Sequence, residues 1–256
     1  MLSGASLIST QFDDCLKSVQ SLMMSELLNS PTQSYSSLFD VSDVEKALFC
    51  LKFGKAGGFD GLTKESIAYC HPVILIQLKI LFNLICIHGF VPDDFGIGIV
   101  VPVVKDRLGN IGISDNYRPV TLSPFVSKIF EYCVLHKFGA VFESDSLQFG
   151  FKKKLSCSHA LFVLSQVTDY FVNHGSSVYI ASLDASKAFD RVHHTKLFNR
   201  LSERGLPGRI IRVLIDWYGK LFCMVKWNGS FSSWFCVKSG VKQGGILSPF
   251  FVQYLY

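Results

Sequence analysis

Residues 222–227 and 230–237 are two runs rich in aromatic and β-branched side chains, and Asn228-Gly229 joins them. An Asn-Gly pair takes the two left-handed conformations of a type I′ turn, whose twist matches that of the flanking strands, so this stretch is committed to an antiparallel hairpin. A two-stranded hairpin is marginal in water until a further layer covers one face. Helical segments can supply that layer. Within 72–90 the apolar residues Ile74, Leu75, Leu78, Leu81, Phe82 and Ile85 recur at spacings of three and four, as one buried helix face requires. Val44, Ala47, Leu48 and Leu51 form a second stripe, after a Ser42-Asp43-Val44-Glu45 string that fits a capping box. Further helices are predicted near 123–136 and 158–173, and from Pro207, well placed in a first turn, to about Gly219. Strands are predicted at 97–101 and 178–184. The order of these signals predicts an α+β core whose sheet contains the 178–184 strand, followed by the hairpin.

Composition bounds the possibilities. A chain of 256 residues with 49% hydrophobic content can bury a real core, as one large domain or two smaller ones. Net charge is +5, but residues 1–50 carry six acidic groups (Asp13, Asp14, Glu26, Asp40, Asp43, Glu45) against Lys17 and Lys46, so the basic excess lies in the remainder. A basic body suits a polyanionic partner. Mean hydropathy is high, at +0.32. The best membrane candidate, 72–90, is interrupted by Gln77, Lys79, Asn83 and His88, whereas a span needs roughly 20 predominantly apolar residues. It reads as a core helix, and no membrane association is expected. The first ten residues lack both the basic start and the apolar stretch of a signal peptide. The eight cysteines include no CxxC pair and no zinc-ligand cluster, and are expected to be reduced, mostly buried thiols of an intracellular protein, nuclear or cytoplasmic. Residues 1–40, Ser-rich and without a firm period, are expected to be an extension or connector.

Val178-Tyr179-Ile180-Ala181 leads into Ser182-Leu183-Asp184-Ala185-Ser186-Lys187-Ala188-Phe189-Asp190-Arg191-Val192. A carboxylate at the end of a buried strand is held rigidly yet opens toward solvent, which a divalent metal needs if it is to meet a phosphate-bearing substrate. A lone Asp there equally suits a turn or a helix cap. Further along stands Gly240-Val241-Lys242-Gln243-Gly244-Gly245-Ile246-Leu247-Ser248-Pro249.

Taken together, the Asp184 segment resembles the first catalytic motif of reverse transcriptases, in particular those of non-LTR (LINE-type, jockey-like) retrotransposons. The resemblance implies that Asp184, with the Ala185 carbonyl, binds catalytic metal, and that Phe189 packs under the incoming sugar and excludes a 2′-hydroxyl. Residues 54–61 are similar to the family's GKAPGPDG loop, with Gly57 and Phe59 in place of both prolines. That exchange predicts a looser loop, from which Lys55 would contact nucleic acid. Val101-Pro102-Val103-Val104-Lys105 and Asn116-Tyr117-Arg118-Pro119-Val120 look like the family's paired finger strands. There Lys105 would meet phosphate, and the Arg118 guanidinium would hold the triphosphate by bidentate contacts. Residues 148–156 resemble the template-facing QxGFRxGxST string, with Lys154 for the second Gly and Cys157 for Thr. Lys152, Lys153 and Lys154 would contact nucleic-acid backbone there. The 240–249 string is similar to GVxQGxxLSP, in which Gln243 would bond template or primer and Gly244 would let the backbone approach closely.

The implied architecture is the fingers (41–150) and partial palm (151–256) of a right-hand polymerase, an α+β fold with an antiparallel palm sheet and packed helices. The implied reaction is RNA-templated DNA synthesis, in which a primer 3′-hydroxyl attacks a deoxynucleoside triphosphate between two Mg²⁺ (or Mn²⁺) ions. The partners are an RNA template, a DNA primer and deoxynucleoside triphosphates. The family's second acidic motif, a hairpin with paired aspartates, is not found after residue 249; the adjacent pairs Asp13-Asp14 and Asp93-Asp94 both lie upstream of Asp184. The chain by itself is therefore expected not to extend a primer. A non-catalytic nucleic-acid-binding remnant of a mobile element is the alternative, and a membrane or structural protein, suggested only by hydropathy, a third.

Overall fold

The computed structural model describes residues 37–152 and 154–254. Among them α1 (Val41–Cys50), α2 (Lys64–Ala68) and α3 (Val73–His88) precede β1 (Ile97–Val104), β2 (Tyr117–Leu122) and α4 (Phe125–Lys137). After these come α5 (Cys157–Asn173), α6 (His194–Glu203), α7 (Gly208–Gly219), β3 (Phe222–Trp227), β4 (Ser230–Phe231), β5 (Phe235–Cys236) and α8 (Ser248–Gln253).

Helix α1 begins earlier than the Ser42 capping box predicts. The Asp40 backbone N–H donates to the Asp43 carboxylate at 3.0 Å, because Asp40 with an acid three residues on meets the same capping need. Its stripe is as predicted, with Val44 and Ala47 buried. Helix α3 buries Leu78, Phe82 and Ile85 and closes on Gly89 at φ +73°. Among the described residues no helix is long and apolar enough to cross a membrane.

The core centres on Phe130 of α4, fully buried. Its ring packs against those of Phe82 at 5.3 Å, Phe39 at 5.9 Å, Trp217 at 6.0 Å and Phe95 at 6.2 Å, drawing together α3, α7 and the segments before α1 and β1. Buried aromatics of this kind dominate core energetics. Trp217 satisfies its indole N–H on the Phe95 carbonyl at 2.8 Å.

Asn83, one of the polar residues that interrupt the apolar 72–90 stretch, serves this packing. Buried at the side of α3, it accepts the backbone N–H groups of Leu38 (2.6 Å) and Phe39 (3.0 Å). It donates to the carbonyls of Phe39 (2.9 Å) and Lys79 (2.8 Å). This amide thus fixes Phe39 in the core, so the packed chain begins before residue 41. The rest of the expected 1–40 extension lies outside the described residues.

The hairpin forms as predicted. Asn228 (φ +44°) and Gly229 (φ +82°) make the left-handed turn, and Trp227 pairs with Ser230. Strand β5 returns to β3, pairing Phe222 with Cys236. β1 and β2 pair antiparallel, with Val103 opposite Arg118 and Pro102 opposite Pro119. β1 and β3 run parallel, Ile97 opposite Phe222, so the sheet is mixed rather than wholly antiparallel. A parallel pair needs a long crossover, and the chain between these strands includes four helices.

Two expectations are corrected. Residues 178–184 form no strand: Tyr179 is 94% and Leu183 101% exposed. A strand needs a neighbour to complete its ladder; both sides of β1 are taken, by β2 and β3, and the outer edge of β2 is met by the Gln243 segment rather than by 178–184. Helix α5, just upstream, likewise buries none of its residues. Second, of the described cysteines Cys86, Cys133 and Cys223 are buried while Cys50, Cys70, Cys157 and Cys236 are exposed, so the thiols are not mostly buried.

Replacing Asn83 by Leu keeps the volume but strands the Leu38 and Phe39 amides. The expected cost is about 1–3 kcal/mol in denaturant unfolding, with faster hydrogen exchange at those two amides. An unchanged unfolding midpoint would show that Asn83 does not hold Phe39.

Candidate functional site

One face of the sheet forms the floor of a cleft of about 670 Å³. Because side chains alternate along a strand, Val100 and Pro102 of β1, Tyr117 and Pro119 of β2, and Val225 and Trp227 of β3 all face it. The Tyr117 and Trp227 rings meet edge to face at 5.2 Å. Polar groups line the rim: Lys105 after β1, Asp115 before β2, Lys187 and Asp190 from the Asp184 segment, and Gln243. Three distant stretches of sequence therefore converge. Lys187 pairs with the Asp115 carboxylate at 3.0 Å, and Lys105 donates to the Asp115 backbone carbonyl at 2.7 Å. The Lys187 hydrogen bond and charge, helped by Lys105, hold the Asp115 carboxyl below its usual range.

The Gln243 loop is bound from several sides. Thr121 N–H donates to the Gln243 carbonyl at 2.6 Å, which adds the loop to the free edge of β2. Gly244 sits at φ +113°, where an added Cβ would lie 2.8 Å from the Thr121 carbonyl, so only glycine fits. Beneath it, Glu131 of α4 accepts the Ile246 N–H at 3.1 Å and the Leu247 N–H at 3.4 Å. Lys242 donates to the carbonyls of Gly96 (2.8 Å) and Ile97 (3.4 Å). Glu131 and Lys242 face one enclosed space of about 20 Å³. Burial pushes the Glu131 carboxyl up, against the opposing pull of the Ile246 and Leu247 amides and Lys242. Burial also brings the Lys242 ammonium down to about 8, although Cys223 and Glu131 oppose it. The preceding residues join this loop to the Asp184 segment, since Val241 N–H donates to the Phe189 carbonyl at 2.8 Å and Gly240 N–H to that of Val192 at 2.9 Å.

Of the residues singled out in the sequence, Lys105 and Gln243 line the cleft. Arg118 does not: it stands between Tyr117 and Pro119 in β2, and alternation places it on the opposite face. Phe189 is half-buried beside the cleft, its ring 6.3 Å from that of Phe151. Asp184 and Ala185 are exposed and outside the cleft lining. Lys152 is engaged by the Asp145 carbonyl, Lys154 is exposed, and Lys153 lies outside the described residues. Lys55 and Gly244 line a second pocket, behind the loop. The 54–61 loop is more firmly held than its lost prolines predict. Asp60 accepts the Phe125 N–H at 3.0 Å, and a Cβ on Gly58 would lie 2.6 Å from the Ser123 carbonyl. Sequence reading missed Asp115, Trp227, Glu131 and the roles of Lys187 and Lys242. Lys187 and Lys242 stand inside the quoted motifs, whereas the others carry no local signal.

Residues 105–256 match the reverse transcriptase (RNA-dependent DNA polymerase) family. The chain belongs to that family. Its relatives include the RNA-directed DNA polymerase from mobile element jockey of Drosophila funebris, 26% identical over 90% of this chain and 25% of that protein. The probable RNA-directed DNA polymerase from transposon X-element of Drosophila melanogaster is 26% identical over 82% of this chain and 24% of its own length. A Pol polyprotein from the type-2 retrotransposable element R2DM of the same fly is 26% identical over 75% and 18%. The chain thus spans about a quarter or less of the relatives it matches. The mixed α/β architecture is compatible with reverse transcriptase fingers and palm.

Reverse transcriptases generally use divalent metal ions. Among the described residues, however, no three His, Cys, Asp or Glu side chains are grouped to hold one, and exposed Asp184 belongs to no such cluster. The described donor set does not fit a two-metal centre.

Lys242 makes the loop's anchorage visible in pH. An unfolded lysine titrates near 10.5 and the folded Lys242 near 8, so between these values the unfolded chain binds a proton that the folded chain has released. Stability contributed by this group is therefore present above 10.5 and lost as pH falls through 8. Guanidinium unfolding of the wild type minus that of Lys242→Met should rise across this window. A flat difference would place Lys242 in water.

Proposed function

We propose that this chain is the fingers and first palm segment of a retrotransposon reverse transcriptase, and that its cleft receives the deoxynucleoside triphosphate opposite an RNA template. The observation that carries this reading is the convergence of Lys105, Lys187 and Gln243, from three separate motifs, over an aromatic and aliphatic sheet face. Lys105 and Lys187, both engaged by Asp115, exchange that partner for phosphate oxygens, which are stronger acceptors. Tyr117 and Trp227 offer ring surface to base or sugar. Gln243, its backbone fixed on β2, presents an amide that can bond a strand lying along the loop. Phe189, tethered to Val241, stands beside the cleft where it limits the sugar. Asp184, in the motif that supplies Lys187 to the cleft, is the carboxylate that catalysis requires in this reading. The fingers comprise 41–150 and the palm segment begins at 151.

The test is RNA-templated primer extension with Mg²⁺, using this chain joined to the downstream palm and thumb of the jockey polymerase. Extension is expected, with loss on Asp184→Ala and admission of ribonucleotides on Phe189→Ala. Extension that persists with Ala at 184 would remove the catalytic assignment. A chimera that binds RNA but never extends would favour the non-catalytic binding remnant.

A separate expectation concerns Asp115. Asp115→Asn removes the anion that pairs with Lys187 while keeping the backbone carbonyl that holds Lys105, and should tighten equilibrium binding of a labelled deoxynucleoside triphosphate by roughly two- to fivefold at low salt. Weaker binding would mean that those lysines do not meet the triphosphate.

A further inference from the structure

Behind the Gln243 loop lies a second pocket of about 220 Å³, whose lining includes four lysines, Lys52, Lys55, Lys64 and Lys128, and no carboxylate. The lysines are not equivalent. Lys64 is satisfied, donating to the Leu51 carbonyl at 2.7 Å with its ammonium 4.3 Å from the Phe53 ring centre. Lys52 and Lys55 are exposed at the rim. Lys128, on α4, is half-buried; its backbone N–H donates to the Pro124 carbonyl at 3.3 Å, but among the described residues its ammonium makes neither a hydrogen bond nor an ion pair. The two carboxylates near enough to influence it are both engaged elsewhere: Asp60 accepts the Leu62 and Phe125 amides, Glu131 those of Ile246 and Leu247. Burial accordingly draws the Lys128 ammonium below the ordinary lysine range.

A partly desolvated cation with no carboxylate in direct contact is under-satisfied, and such a group at the wall of an open pocket lined by no acid is poised for an anion that arrives from outside. The wall shared with the nucleotide cleft indicates which anion. Gln243 lines the cleft and Gly244, the next residue, lines this pocket. A strand that crosses the loop at Gln243 therefore brings its backbone past Gly244 to the mouth of this pocket. The half-exposed Tyr132 ring stands beside Lys128 in the same lining.

We propose that this pocket seats a phosphodiester of the single-stranded nucleic acid that passes over Gln243, with Lys128 as its principal cation and Lys52 and Lys55 at the mouth. The inference rests on the template reading above and adds to it a phosphate seat on α4, outside the motifs that carry the family resemblance.

Binding of a labelled single-stranded RNA to the whole chain is measured by fluorescence anisotropy across a salt series, with Lys128→Gln and Lys128→Arg as variants. Inorganic pyrophosphate is tested separately by thermal shift. Lys128→Gln is expected to weaken RNA binding roughly three- to tenfold and to make the slope of log affinity against log salt shallower by about 0.7, the share of one phosphate contact on a single strand. Lys128→Arg keeps the charge and should retain both. If the wild type binds RNA and Lys128→Gln binds it equally with the same slope, the pocket assignment is overturned and the polymerase reading stands. If pyrophosphate stabilises the wild type but not Lys128→Gln while RNA is not bound, the seat belongs to a free anion and the strand is excluded. Failure to bind either ligand overturns the template reading and the seat together.

Discussion

Four consecutive residues of α4 set most of what this molecule can do. A helical turn takes 3.6 residues, so Lys128, Ile129, Phe130 and Glu131 between them face every direction around the axis. Phe130 and Ile129 are fully buried, and the rings of Phe39, Phe82, Phe95 and Trp217 around Phe130 fix the rotation of the helix. Once that rotation is fixed, Glu131 is aimed at the Ile246 and Leu247 amides and Lys128 at the pocket behind them. The aromatic core is thus the reference frame of the site.

The two buried charges at the loop are there for position rather than stability. Moving a carboxylate and an ammonium out of water is expensive, and replacing such groups by apolar ones is often neutral or favourable for the fold. What Glu131 and Lys242 supply is direction, because each bonds to backbone groups of a different segment. Lys242 reaches the chain at the start of β1, and Glu131 the chain leading into α8. With Thr121 holding the Gln243 carbonyl, the loop cannot slide along β2 without breaking contacts on three sides.

How much of this was legible in the sequence follows from the range of the forces involved. The hairpin, α3 and α4 were readable because Asn228-Gly229 and the spacing of Leu78, Phe82 and Ile85 are local signals. The family was readable because strings such as 240–249 are local too. That Arg118 stands on the face opposite the cleft is not legible locally, because the face that lines a cleft depends on how β2 pairs with β1. Residues 178–184 have the composition of a buried strand, yet a strand exists only if a neighbour is available, and composition says nothing of neighbours. Asn83 looks like an interruption of an apolar run, since its four partners are the chain's own backbone groups, three of them far away in sequence. Glu131 and Lys128 bear no motif, and their meaning appears only when a loop more than a hundred residues later closes over them.

The parallel pairing of β1 with β3 has a consequence for the order of assembly. β1 and β2 close as a local pair, but the partner of Ile97 is Phe222, so the other edge of β1 stays open until the chain through α7 has been made. During synthesis the apolar strand at 97–104 therefore waits with unpaired backbone groups, the condition under which strands join wrong neighbours. Gly96 and Gly98 sharpen this demand, because they allow the later segment to settle against β1 with Lys220 and Cys223 in close contact. The cleft, whose floor spans β1, β2 and β3, is consequently among the last features to form, and nascent chains are exposed to misassembly at the same sheet that later forms that floor.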